Sequence, residues 1–189
     1  MKQNALKTIP FFIVFLFLIS GCSYSYGIDI NYIQQYPDKY SASTLPYEGK
    51  IEFSLSTEEI LNGIEEPQKI TTIYDTDVFL IDITEDENTI NNEQEILVIV
   101  GFDSHINSNE GTLLSQYEVN EDNSITTGSV NIKAFGDDGE LGSFGTGSGD
   151  FEGKYEQHVM YVFNKDDLFK SKKWKFEISG LHLLTYSKK

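Results

Sequence analysis

Arginine is absent from this 189-residue chain: all 14 basic side chains are lysines, set against 30 acids for a net charge of −16 at pH 7. Sites that read phosphate or carboxylate groups favour the planar, bidentate fork of arginine. Nucleic acid additionally demands a basic surface. Together the two deficits exclude nucleic acid as a partner. Cysteine occurs once, as Cys22, so no disulfide can form within the chain. Proline is scarce: three of the four precede residue 50, and none follows Pro67. Long apolar runs are lacking too. The one candidate, Ile9–Ile19, would span about 16 Å as a helix, roughly half of a ~30 Å bilayer core.

Aromatic residues, by contrast, are plentiful at 13%, with 13 Phe and 11 Tyr. A chain so supplied can bury enough apolar surface to offset its ordering entropy, within one domain. Charge is unevenly placed. Between Lys69 and Lys133 there are 13 acids and no base, whereas from Lys154 to Lys189 there are eight lysines and four acids. This pattern reads as an acidic, soluble surface with a basic tail against it, or as a surface for a cation or a basic partner.

The N-terminus carries the most specific signal. Lys2 and Lys7 form a positive n-region, Ile9–Ile19 an apolar h-region, and Ile19-Ser20-Gly21-Cys22 follows. That tetrapeptide, an aliphatic residue and two small ones before cysteine, resembles the lipobox of bacterial lipoproteins. The resemblance implies diacylglyceryl transfer to the Cys22 thiol and cleavage between Gly21 and Cys22. Lipidation also accounts for a secreted chain with one unpaired thiol. Without residues 1–21, which hold Lys2 and Lys7 and no acid, 12 lysines face 30 acids, a net −18. The lysine-, isoleucine- and asparagine-rich composition suggests an AT-rich genome and a Gram-positive host, which places the protein on the outer leaflet of the cell membrane. In a two-membrane host, Ser23 after the cysteine suits the outer membrane.

Residues 22–47 read as the lipidated cysteine and a tether, with Tyr24, Tyr26, Tyr32, Tyr36, Tyr40 and Tyr47 among polar residues; these rings could instead dock on the domain. From residue 48 a period of two dominates. Ile51, Phe53 and Leu55 alternate with Glu52 and Ser54, and Trp174, Phe176 and Ile178 with Lys175 and Glu177. Strands are also expected at Asp77–Ile83, Glu95–Phe102, Ser129–Phe135, Gln157–Phe163 and Leu181–Tyr186, with an acidic loop over Thr84–Gln94. Ser56 and Glu59 stand at capping-box spacing and Gly63 is a stop, which predicts one short helix. The fold class is therefore all-β, an antiparallel β-sandwich. An immunoglobulin-like arrangement rests on strand count alone, since one cysteine cannot supply the Cys…Trp…Cys hallmark.

Gly136–Gly153 holds seven glycines and reads as a mobile loop. It lacks the Lys-Ser/Thr of a phosphate loop, the spacing of a dinucleotide site and the pattern of an EF-hand or calcium β-roll. Its acids Asp137, Asp138, Glu140 and Asp150 are the candidate ligands if calcium binds at all. No Gly-x-Ser-x-Gly elbow occurs. His105, His158 and His182 stand apart in sequence, and the paired acids (Asp75/Asp77, Asp166/Asp167) carry no specific signal in so acidic a chain. Trp174, on an alternating face, is expected in the core. The sequence thus describes a membrane-anchored, extracytoplasmic lipoprotein that acts without catalysis as a binding or accessory module, with a protein or cell-wall partner. The alternative is a calcium-dependent or wall-binding module using the acidic region and the glycine-rich loop.

Overall fold

The period-two segments become strands because alternation puts one apolar row on a single face of the pleat. The computed structural model describes residues 29–88, 93–150, 154–155 and 157–189. Among these, the strands are β1 (Tyr40–Pro46), β2 (Ile51–Ser56), β3 (Gln68–Ile73), β4 (Thr76–Glu87), β5 (Gln94–Ser104), β6 (Glu110–Ser115), β7 (Tyr117–Val119), β8 (Ile125–Thr127), β9 (Asn131–Phe135), β10 (Gly145–Asp150), β11 (Gln157–Asn164), β12 (Lys173–Ser179) and β13 (His182–Lys188). Three short helices accompany them: α1 (Ile30–Gln35), α2 (Thr57–Asn62) and α3 (Lys165–Leu168). The expected all-β, antiparallel architecture is present, with three helices rather than one.

A five-stranded sheet runs in the order β10-β11-β5-β4-β3, and a three-stranded sheet in the order β2-β12-β9. The apolar row of the first (Val98, Val100 and Phe102 on β5; Val159, Tyr161 and Phe163 on β11) packs in one core with Trp174, Phe176 and Ile178 on β12. Aromatic rings join the layers: Tyr161 and Phe176 have centroids 4.9 Å apart at 78°, and Phe163 and Trp174 lie 5.1 Å apart. The buried polar ends are satisfied. Tyr161 Oη donates to the Glu177 carbonyl (3.0 Å) and Trp174 Nε1 to the Leu168 carbonyl (3.1 Å). Each fully buried large side chain contributes about 1.5–3 kcal/mol. Trp174, 3% exposed, is a core residue, where its alternation places it.

The second sheet continues past a bend into a third, β1-β13-β6. Pro46 pairs with His182 and Ile51 with Ile178, so the β1–β2 side holds one residue more than the β12–β13 side. That extra residue makes an irregularity of the β-bulge kind, which bends a sheet. Gly180 sits in the bend at φ +73°, and a Cβ there would lie 2.3 Å from the Ser129 carbonyl oxygen. Only glycine satisfies both conditions. Beyond the bend a smaller core gathers Ile30, Ile33, Tyr40, Leu113, Leu184 and Tyr186.

Several expectations change here. Of the tether read over residues 22–47, the described part carries α1 and β1. Ile30, Ile33 and Tyr40 are buried, and β1 pairs with β13 along its length. The apolar residues are too few and too spaced to signal this locally; it is the distant partner β13 that gives them a core. The acidic loop over Thr84–Gln94 shrinks, because β4 runs on to Glu87 and β5 starts at Gln94. Backbone pairing holds this hairpin end together while Glu85, Asp86 and Glu87 point to solvent. The capping box is as read: Ser56 Oγ accepts from Glu59 N (3.1 Å), Glu59 Oε2 accepts from Ser56 N (2.7 Å), and Gly63 terminates α2 at φ +69°.

Candidate functional site

The glycine-rich segment is built differently from a loop. From Phe135 the chain makes a tight turn: Gly136 N donates to the Glu140 carbonyl (3.0 Å) and Gly139 N to that of Gly136 (3.0 Å), with Gly139 at φ +81°. Phe135 and Leu141 then pair as an isolated bridge. Gly142 lies against the Trp174 ring, where a Cβ would come within 2.4 Å. Gly145–Asp150 follows as β10, paired residue for residue with β11 from Gly145↔Val162 to Asp150↔Gln157, with no shift of register. The mobile-loop reading is therefore corrected for 145–150. Glycine propensity argues against a strand, but β11 supplies a paired edge and the flat glycine backbone accepts it.

Two of the glycines also make room. Met160 and His158 on β11 lean over the edge strand, and a Cβ would lie 2.7 Å from Met160 Cε at Gly147 and 3.0 Å from a His158 ring carbon at Gly149. A signal for this strand exists in the sequence, where glycine alternates strictly with Thr146, Ser148 and Asp150. Period two without apolar residues is easily read as low complexity.

The four acids proposed as calcium ligands are separated in role. Asp137 N donates to Ser171 Oγ (2.7 Å), while Asp137 Oδ2 accepts from Lys172 N (3.2 Å). Asp138 Oδ1 accepts from Glu140 N (2.9 Å). These carboxylates close the turn and tie it to the chain before β12. Asp150 ends β10 on the far side of Gly145; its side chain lies outside the described residues, as do Gly21 and Cys22. Among the described residues, no group of three or more His, Cys, Asp or Glu side chains is placed to hold a metal ion.

The histidines do not converge. His158 is buried on the outer face of β11 beside Gly149. His105 Nε2 lies 3.1 Å from Asp77 Oδ2, whose other oxygen receives Lys69 Nζ (2.7 Å) and Thr72 Oγ1 (2.7 Å). Lys69 above all, and then Thr72, holds the Asp77 carboxyl well below the ordinary range. His182 borders an open groove of about 470 Å³ at the bend, with Tyr47, Glu48, Glu118 and Ser179. Its Nδ1 is buried with no hydrogen-bond partner among the described residues.

Charge pairing follows the expected separation in part. Lys154 reaches Asp103 (3.2 Å) and Lys165 reaches Glu85, so two tail lysines pair with two of the acids of the acidic half. A second network lies on the outer face of β2 and β12. Glu52 accepts from Lys175 (2.5 Å) and Lys50 (2.9 Å), which lower its carboxyl to about 2, and Lys50 also reaches Glu177 (2.8 Å). Among the described residues, no helix is long and apolar enough to cross a membrane.

Comparison of the chain with protein-family models, with curated proteins and with solved structures gives no match.

Proposed function

We propose that the protein is a bacterial lipoprotein, cleaved before Cys22, held by lipid on that cysteine at the extracytoplasmic face of the membrane, and acting there as a non-enzymatic binding or accessory module. The observation that carries this reading is Ile19-Ser20-Gly21-Cys22 after a short charged and apolar leader, in a chain whose one cysteine is Cys22. Two acyl chains on one residue hold a protein far more firmly than one, since each buried methylene contributes about 0.8 kcal/mol. Buried Ile30 is only eight residues from Cys22. Fully extended, that stretch spans at most about 26–29 Å. A lipid at Cys22 thus keeps the β body close to the headgroups, where a partner would also have to reside.

The test is Cys22→Ser expressed in the native host. The expected result is an unprocessed precursor that takes up no labelled fatty acid; normal maturation and acylation of the variant would refute the reading. For the accessory role, mild cross-linking of the wild-type protein in its own cells should trap one dominant envelope protein at a fixed stoichiometry, and no partner at any cross-linker dose would count against it.

A further inference from the structure

We infer that β10 is a strand-addition site, an open sheet edge that takes an extended, lysine-bearing segment of a partner protein as the sixth strand of the large sheet. This rests on the binding-module reading above and names the surface and the chemistry that such a module would use.

β10 is terminal in the five-stranded sheet, with β11 on one side and no strand on the other among the described residues. In an antiparallel ladder, alternate residues of an edge strand aim their N–H and C=O groups outward. Sheets usually protect such edges with bulges, lysines, prolines or very short strands. The opposite edge of this sheet is protected: β3 carries Lys69 and a register break between Lys69 and Thr71. β10 has none of these devices. It is six residues long, unbulged against β11, and free of lysine and proline. Its side chains are hydrogens, hydroxyls and one terminal carboxylate, and Thr146 and Ser148 are exposed. The described side chains of β10 itself put nothing bulky at this edge, and glycine within a strand commonly marks close approach of another backbone.

Charge decides between occupants. The segment from Gly136 to Asp150 carries Asp137, Asp138, Glu140 and Asp150 and no base, in a chain of net charge −16. A second copy would bring an identical set of acids to the same edge and be repelled. A partner strand with lysines is drawn to it, and its register is set by main-chain bonds, because β10 offers no apolar side chain to grip. Strand addition of this kind takes affinity from the backbone and selectivity from what flanks it.

The first experiment uses the full mature lipoprotein in detergent micelles, with a short peptide of alternating Lys and Thr as probe, and reads backbone amide exchange by NMR. At about ten times the peptide's Kd, exchange at the outward amides of β10 should slow about tenfold, with β3 unchanged. An alternating Glu–Thr peptide and a Lys–Thr peptide N-methylated at every backbone amide, one lacking the charge and the other the donors, should give no protection. The Thr146→Lys/Ser148→Lys double variant, which alters only exposed side chains, should lose the effect, and Gln68→Lys on β3 should keep it. Equal protection by the N-methylated peptide, protection at β3, or none anywhere overturns the site. Concentration-dependent protection without peptide assigns the edge to self-association and overturns the cationic partner. A second measurement separates this inference from the reading beneath it. If in-cell cross-linking traps a partner equally with wild type and the double variant, β10 is not the site while the accessory role stands. If wild type traps none, the accessory role falls and the peptide experiment still decides β10.

Discussion

Removing the Phe176 ring tests whether the two sheets are joined as described. Phe176 is fully buried on β12 and touches three aromatic neighbours: Phe53 stacked at 4.7 Å and 9°, Tyr161 edge-on at 4.9 Å and 78°, and Phe163 edge-on at 6.0 Å and 87°. Two of these, Tyr161 and Phe163, stand on the opposite sheet, so the ring's space cannot be refilled without moving a whole layer. Phe176→Ala should therefore cost about 3–5 kcal/mol, the range for a buried Phe whose site cannot collapse. Against a total of about 5–15 kcal/mol, that is a large share. At about 2–4 °C per kcal/mol for a chain of this size, Tm should drop by roughly 6–20 °C. Urea unfolding followed by circular dichroism gives the change directly, with the slope of free energy against urea unaltered if only stability has changed. A double-mutant cycle with Phe163→Leu on the opposite sheet should show a coupling of about 0.5–1.5 kcal/mol. A loss below about 1 kcal/mol for Phe176→Ala, or no coupling to Phe163, would mean that the layers do not meet through these rings.

Gly180→Ala forces a side chain into φ +73° against the Ser129 carbonyl, and the left-handed conformation alone costs about 1–2 kcal/mol; a denaturation midpoint equal to wild type would contradict the bend. Ser56→Ala removes the Oγ half of the capping box on α2 and leaves the backbone N–H of residue 56 on Glu59; it should cost about 0.5–2 kcal/mol, measurable in the same urea assay, whereas Glu58→Ala on the exposed side of the helix should change little. Alkaline stability depends on Tyr161, whose phenol is pushed up, mainly by burial. Because the unfolded phenol ionises near pH 10 while the folded one keeps its proton, stability should fall as pH rises above about 10, and Tyr161→Phe should flatten that decline. At the acid end the sign is opposite. Glu52, lowered to about 2 by Lys175 and Lys50, contributes stability above the unfolded carboxyl pKa of about 4.3 that is lost as pH falls towards 2; Glu52→Gln should remove this part of the acid slope, seen in melting curves across that window.

The strands legible in the sequence are those where one face is apolar: Trp174, Phe176 and Ile178, or Val98, Val100 and Phe102, fall on alternate positions because the core lies on one side of their sheet. The helix over Thr57–Asn62 was equally legible, since its cap is a local hydrogen-bond exchange between Ser56 and Glu59. β3, β6 and β1 carry too few apolar residues at regular spacing to stand out. Thr71, Thr112 and Ser43 are held there by backbone pairing with β4 and β13, segments that are local only for β3. β10 was hidden for the same reason in extreme form, as its alternation contains no hydrophobic residue at all. The candidate calcium ligands could be named from sequence but not assembled: whether Asp137 and Asp138 face an ion or their own turn depends on Ser171 and Lys172, more than thirty residues away.

By itself, the sequence determined what is local or compositional: an all-β class, one capped helix, an acidic chain without arginine, and an N-terminal segment in which residues 19–22 resemble a lipobox. Each depends on period, spacing or count over a few neighbouring residues. The tertiary structure alone decided that β1 closes on β13, that the chain bends at Gly180 to divide its interior into two cores, and that a run of glycines forms the terminal strand of the large sheet among the described residues. Those outcomes depend on pairings between residues more than a hundred positions apart in the case of β1 and β13, and on a carbonyl or a side chain brought close by such pairing. For β1 and β13, no window of the sequence contains both partners.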